Sequence, residues 1–409
     1  MIPFALKYIM VIITTMVISA IATPLVRFMS LRVGAVDNPN ARRINKVPMP
    51  SAGGLAIFVA FTISVLWFLP GIVTRVNYHG TYLHYIWPLV LASSIIVLTG
   101  FIDDVKELKP APKMFGILAA ATIIWIFTEF RFDSFKIPFG GPFLQFPVWL
   151  SFLLTVLWIV SITNAVNLID GLDGLVSGVS IISLTTMGIV SYFFLHDSNI
   201  FLTLTIFVLV AAIVGFLPYN YNPAIIYLGD TGALFIGFMI GVLSLQGLKN
   251  STAVAVVTPM IILGVPITDT VVAIIRRKLS GQKIYEADKM HLHHRLLSLG
   301  LTHRGTVLVI YAISFLFSLT SLLLNVSSRI GGILLLVTMG LGIEILCELI
   351  GIFGINRTPL LNLLRFIGNS SYRQEKIAKY KKCCEEKKKE NKNLSKQDKS
   401  RQALFFDII

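Results

Sequence analysis

The chain has 409 residues, 55% of them hydrophobic and only 14% charged, with a formal charge of +14. At a mean hydropathy of +0.78 it is not a soluble globular domain. The excess Lys and Arg sit in a few loops and the tail with no aromatic platforms among them, which argues against nucleic acid as a partner and for membrane orientation. Three cysteines, Cys347, Cys383 and Cys384, have neither a metal-binding nor a disulfide-framework spacing.

The first apolar run, residues 4–26, is too long for the core of a cleaved signal. It is followed by Arg27 and Arg32 and no small-residue cleavage site, so it is expected to remain as a membrane helix. Comparable runs follow, centred near Thr62, Ile95, Ile123, Leu157, Leu184, Phe207, Phe238, Ile262, Phe315 and Leu336. They predict an all-α polytopic membrane protein of about eleven transmembrane helices. Alternate loops are rich in cations: Arg32, Arg42, Arg43 and Lys46 after span one, Lys106, Lys109 and Lys113 after span three, and Arg276 to Arg304 after span nine. These loops are expected to be cytoplasmic, which puts the N-terminus outside and the C-terminus inside. The chain is expected to divide into a transmembrane domain, 1–355, which holds the polar motifs described next, and a basic cytoplasmic tail, 356–409. The tail reads either as a solvated extension or as a segment drawn to anionic lipid.

A carboxylate at membrane depth needs a partner or a function. Asp103 and Asp104 close span three, Asp170 and Asp173 lie between spans five and six, Asp230 opens span eight, and Asp269 lies within span nine. The first five share the cytoplasmic side in this orientation and argue for one site there, with Asp269 nearer the mid-plane. In the loop 37–54, cations precede the Gly53-Gly54 pair, and such a loop can hold anions through backbone N–H groups and side chains. Lys113 is a cation beside the acids or a positive-inside anchor.

The run 164–174 spaces Asn164, Asn167, Asp170 and Asp173 three residues apart, so neighbours share a face at a helix end. Such oxygens suit Mg2+, which takes one or two carboxylates and completes its octahedron with water and substrate phosphates. Helix capping beside Gly171 and Gly174 is the alternative reading. Asp230, between Gly229 and Gly232, reads as a ligand or as an N-cap worth about 1 kcal/mol. In 291–295, His291, His293 and His294 accompany Arg295. No Cys or Glu lies at zinc spacing, and His293 and His294 are expected to point apart on a helix. Imidazoles beside a guanidinium suit a diphosphate and sugar hydroxyls.

These motifs, in this order, resemble those of the bacterial polyprenyl-phosphate N-acetylhexosamine-1-phosphate transferases over about residues 1 to 350. The resemblance is to those transferring N-acetylglucosamine 1-phosphate from UDP-N-acetylglucosamine to undecaprenyl phosphate, with release of UMP. It implies Mg2+, with Mn2+ as a substitute, held by Asn167 and Asp230. Asp170 and Asp173 would line the metal and uridine region, and Lys113 would contact phosphate, with Asn164 also in the substrate site. His291, His293, His294 and Arg295 would form the sugar and diphosphate loop. Asp103 and Asp104 would be the paired acids near the lipid phosphate, as base or as orienting groups. One departure is Arg42-Arg43-Ile44-Asn45, where the family often has Arg-Lys-x-His. The resemblance also implies the bacterial plasma membrane, an active site on the cytoplasmic face, the first membrane step of teichoic acid or surface polysaccharide synthesis, and membrane lipid as a partner, and it allows a homodimer. Two rivals are the phospho-N-acetylmuramoyl-pentapeptide translocase and an ion-coupled transporter. A transporter would place its acids at the mid-plane in matching halves and has no need of the histidine loop.

Overall fold

The computed structural model describes residues 4–37, 48–73, 79–136, 143–194, 200–246, 259–279, 291–350 and 358–378. Arg42, Arg43, Asn45, Lys46, the stretch 288–290, Cys383, Cys384 and Lys387 to Lys389 lie outside these residues. The chain forms two compact units, Met1–Met339 and Gly340–Ile409.

The first unit is helical. It contains α1 (Phe4–Val33), α2 (Gly54–Ile63) continuing through a π turn (Ser64–Phe68) into α3 (Leu69–Val73), α4 (His79–Lys106) and α5 (Pro110–Phe127). Then come α6 (Val148–Leu168), α7 (Leu175–Phe193), α8 (Ile200–Asn220), α9 (Gly229–Gln246), α10 (Gly264–Leu279), the short α11 (Leu292–Ser298) and α12 (His303–Val326). Helix α13 (Arg329–Ile350) runs into the second unit, which also holds α14 (Pro359–Gly368). There the buried Glu348 accepts the backbone N–H groups of Leu360 and Leu361 at 2.7 Å each, capping the α14 head. Two short antiparallel hairpins, Val36–Asp37 with Met49–Pro50 and Ser134–Lys136 with Phe143–Gln145, are the strands among the described residues.

Among the described residues, nine helical segments are long and apolar enough to cross a bilayer. The chain is therefore an all-α polytopic membrane protein apart from its hairpins. The span expected near Phe238 is the shorter apolar helix Gly229–Leu245. Near Ile262 the helical run is broken by a turn at Leu263 before α10 begins.

Helix starts follow the local chemistry. Pro110 opens α5 where an N–H would be unpartnered, and Gly174 and Gly229, at φ +76° and +72°, turn the chain into α7 and α9 through a left-handed conformation. Helix α9 is the axis of the unit, packed on α2, α4 and α6. Ala233 through Ile236, Phe238 and Met239 are fully buried in it, whereas α1 and α4 leave Ile21, Leu25 and Leu98 exposed, as lipid-facing helices do. Lipid is as apolar as leucine, so close packing rather than exclusion from water holds α9 in place. A Cβ on Gly54 of α2 would lie 2.0 Å from the Gly232 Cα, and one on Gly100 of α4 would lie 2.6 Å from the Thr231 Cα. Three helices thus meet backbone to backbone at the head of α9.

Candidate active site

At that junction Asp104, from the last turn of α4, reaches the head of α9. One carboxylate oxygen accepts from the Ser51 hydroxyl and the Asp230 N–H, both at 2.9 Å, and the other accepts from the N–H and hydroxyl of Thr231 at 3.0 and 2.5 Å. The first amides of α9 are thereby capped by a residue 126 positions earlier. Both Asp104 oxygens are taken by protein donors, so this acid positions α9 and with it Asp230. Gly53 and Gly54 give their N–H groups to the Tyr227 and Leu228 carbonyls at 3.0 and 2.9 Å. Those two amides serve the same packing rather than an anion.

Asp103 turns the other way. One of its oxygens takes the Leu108 N–H at 2.6 Å and the other the Lys113 ammonium at 2.9 Å. Lys113 also reaches Asp230 at 2.7 Å, and the Asn167 amide donates to the same Asp230 oxygen. The cluster joins the ends of α4 and α6 to the starts of α5 and α9, so residues from four separate stretches of the sequence form one constellation. Side-chain exposure is 8% at Asp103, 19% at Lys113 and 33% at Asp230, so Asp230 is the most open of these three charged groups.

The turn after α6 carries Asp170. Its N–H donates to the Asn167 carbonyl at 3.2 Å, and that of Gly171 to Ile169 at 2.8 Å. Burial pushes the Asp170 carboxyl well above the usual carboxylate range, and Asp230, Asp104 and Asp173 push it further. No hydrogen-bond donor meets it among the described residues. Asp103 and Asp230 share the ammonium of Lys113, and Asp104 and Asp170 lie near Asp230 without a cation of their own among the described residues. A hard dication fits this set: it would neutralise the excess and hold Asp170 ionised. Among the described residues no three His, Cys, Asp or Glu side chains group as a metal site, so any such ion would depend on water and substrate oxygens for its remaining ligands.

Asp173 is partly committed to structure. One oxygen accepts from the Asn222 amide at 2.9 Å and the Ala224 N–H at 3.1 Å, while its own N–H donates to His303 Nε2 at 3.0 Å. The Tyr311 phenol donates to the Gly174 carbonyl, so α12 clasps this turn. Asn164 sits one turn before Asn167, and its amide returns to the Val160 carbonyl at 2.8 Å.

The histidine loop closes over the same turn. A Cβ on Gly171 would lie 2.3 Å from His293 Nε2, so a glycine there is what seats the ring. His291 and His293 are buried, with parallel rings 6.1 Å apart. The His293 and His294 rings lie 4.2 Å apart rather than pointing away from each other as expected. The reason is that α11 is a two-turn helix wedged against the bundle, so its ring directions follow packing. Arg295 is half-buried in the same helix. Burial, aided by His294, pulls the His293 imidazole down to about 3, so it is neutral at pH 7 and Arg295 is the stronger candidate for an anion.

This shift carries a sign. With its folded value below the ordinary 6.5, His293 binds fewer protons folded than unfolded, so its stability contribution is intact above pH 6.5 and is lost as pH falls toward 3. By pH 5 the loss is about 2 kcal/mol. The thermal midpoint of the wild type is therefore expected to drop more between pH 7 and 5 than that of His293→Gln. Equal drops in the two proteins would remove His293 as the cause.

Ser51, Thr231, Asn222, His303 and Tyr311 escaped the sequence reading. Ser51 and Thr231 flank recognised glycine motifs and could have been found there, but the others lie far from any motif they serve.

The family model described as glycosyl transferase family 4 matches residues 86–248, which contain every acid of the cluster as well as Lys113, Asn164 and Asn167. A probable undecaprenyl-phosphate N-acetylglucosaminyl 1-phosphate transferase from Bacillus subtilis is 39% identical over 353 residues, covering 86% of this chain and 93% of its own. A decaprenyl-phosphate N-acetylglucosaminephosphotransferase from Mycolicibacterium smegmatis is 34% identical over 73% of this chain and 77% of its own. An undecaprenyl-phosphate alpha-N-acetylglucosaminyl 1-phosphate transferase from Escherichia coli is 24% identical over 72% and 77%.

Proposed function

We propose that this chain, which belongs to glycosyl transferase family 4, transfers N-acetylglucosamine 1-phosphate from UDP-N-acetylglucosamine to undecaprenyl phosphate and releases UMP. The observation that carries this reading is the Asp103–Lys113–Asp230–Asn167 cluster, set at helix ends where a membrane-borne phosphate and a soluble nucleotide can meet. The names of the relatives supply the polyprenyl phosphate and the N-acetylglucosamine phosphate, and the nucleotide is the one the sequence resemblance implies.

Phosphoryl transfer asks the protein for alignment and charge neutralisation more than for covalent help. An oxygen of the lipid phosphate attacks the sugar-bearing phosphorus, a new P–O bond forms, and the bond from that phosphorus to the bridging oxygen breaks, so that UMP leaves. The lipid phosphate is already ionised and needs no strong base. Asp103 holds the Lys113 ammonium, and Lys113 steers the phosphate. Asn167 and Asp230, with Asp170 beside them, would hold Mg2+, which when bound supplies positive charge to the diphosphate. Arg295 offers its planar fork to the leaving side, while neutral His293 offers a hydrogen bond without charge. The apolar runs support about eleven crossings of a bacterial plasma membrane, and the basic loops support a cytoplasmic site and an outside N-terminus. The reaction then serves as the first membrane step of a cell-wall polymer such as teichoic acid.

The test uses purified protein with a defined polyprenyl phosphate and both nucleotide sugars at equal concentration. UDP-N-acetylglucosamine is expected to yield UMP only with Mg2+ or Mn2+, UDP-N-acetylmuramoyl-pentapeptide to yield none, and Arg295→Ala to slow release about a hundredfold. Faster turnover of the pentapeptide substrate would move the protein to peptidoglycan synthesis. Absence of UMP with either nucleotide would remove the transferase reading.

A further inference from the structure

Helix α10 carries an acid that the reaction above leaves unused. Asp269 and His291 are each only 6% exposed. One Asp269 oxygen lies 2.9 Å from His291 Nδ1 and the other accepts the Leu292 N–H at 2.9 Å. A buried carboxylate without partners would be strongly unfavourable, and here both oxygens are met. An ionised carboxylate accepts only, so the nitrogen facing it must carry the proton. Nε2, on the opposite edge of the ring, meets no hydrogen-bond partner among the described residues. The ring lies parallel to that of His293, and His293 rests on Gly171, beside Asp170.

We infer that Asp269 is a positioning residue for the transfer: it fixes the His291 imidazole with Nδ1 protonated and leaves Nε2 as the nitrogen presented to the nucleotide sugar. The inference rests on the transferase reading. A carboxylate behind an imidazole sets both its tautomer and its direction, whether the other nitrogen meets a metal or a substrate. A mere cap of α11 would need only the Leu292 contact, whereas here the second oxygen is spent on the ring.

Asp269→Asn separates the two roles. The amide keeps the size and one acceptor, but its NH2 facing Nδ1 moves the imidazole proton to Nε2. Nitrogen-15 spectra of histidine-labelled full-length protein, with the His291 signal identified by its loss in His291→Ala, are expected to show protonated Nδ1 in the wild type and protonated Nε2 in Asp269→Asn. The specificity constant for UMP release is expected to fall about a hundredfold with little change in thermal midpoint. The double variant Asp269→Asn/His291→Ala should be no slower than His291→Ala alone, because Asp269 acts through that ring.

Additive losses, or a switched tautomer with unchanged turnover, would overturn the positioning role. If Asp269→Asn does not fold, the wild-type spectrum still decides, since a proton on Nε2 there overturns the assignment. A wild type with the expected spectrum that releases no UMP sinks the transferase reading and the positioning role with it, while the Asp269–His291 geometry stands.

Discussion

Asp230→Asn is expected to lower Mg2+-dependent UMP release by at least about a thousandfold, or about 4 kcal/mol of transition-state stabilisation, while the protein still folds. The carboxylate oxygen that this change neutralises receives both the Lys113 ammonium, at 2.7 Å, and the Asn167 amide. An amide of the same shape has one acceptor and no charge, and its NH2 group would confront those donors or a cation. The backbone is indifferent to the change, because the Asp230 N–H donates to Asp104 through the main chain. Folding and chemistry therefore separate at this residue. The measurement is UMP release across a Mg2+ series beside a thermal unfolding curve. Full activity at ordinary Mg2+, with an unchanged curve, would reduce Asp230 to a helix-head residue.

Gly54→Val is expected to abolish the folded protein rather than its catalysis. The first added carbon would lie 2.0 Å from the Gly232 Cα and 2.2 Å from its backbone nitrogen. Neither neighbour is a side chain that can swing aside, so α2 and α9 must separate. Overpacking of a tight interior commonly destabilises by about 1–3 kcal/mol, and a backbone clash lies at or above the top of that range. Separation would also carry Gly229 and Asp230 away from Asp104 and so undo the cap that orients the site. Gly340→Ala in α13, where an added carbon meets nothing within 4 Å, is the control and is expected to change stability by less than about 0.5 kcal/mol. Detergent-solubilised yield, size-exclusion profile and thermal midpoint report the difference. A Gly54→Val protein with wild-type midpoint and turnover would show that the helices have room that this packing denies.

Much of the molecule was legible from residue order because the bilayer imposes a one-dimensional rule. Apolar runs of spanning length declare helices, and the helix ends are where Asp103, Asp170 and Asp230 must lie. Their gathering at one site was likewise readable from the alternation of spans, and Lys113 was already marked beside them. The division of labour within that site was not. Asp103 and Asp104 are adjacent in the sequence and equal in chemistry, yet a helix turns successive side chains about 100° apart, so one faces Lys113 and the other the amides of α9. A carboxylate becomes a cap, an ion-pair partner or a ligand according to which donors arrive at its oxygens. The donors to Asp104 come from 53, 126 and 127 positions away, and Asp269 meets His291 across 22. Neither periodicity nor composition encodes such meetings. They follow from glycines that let α2, α4 and α9 touch, and from the packing of α11 against the turn at Gly171.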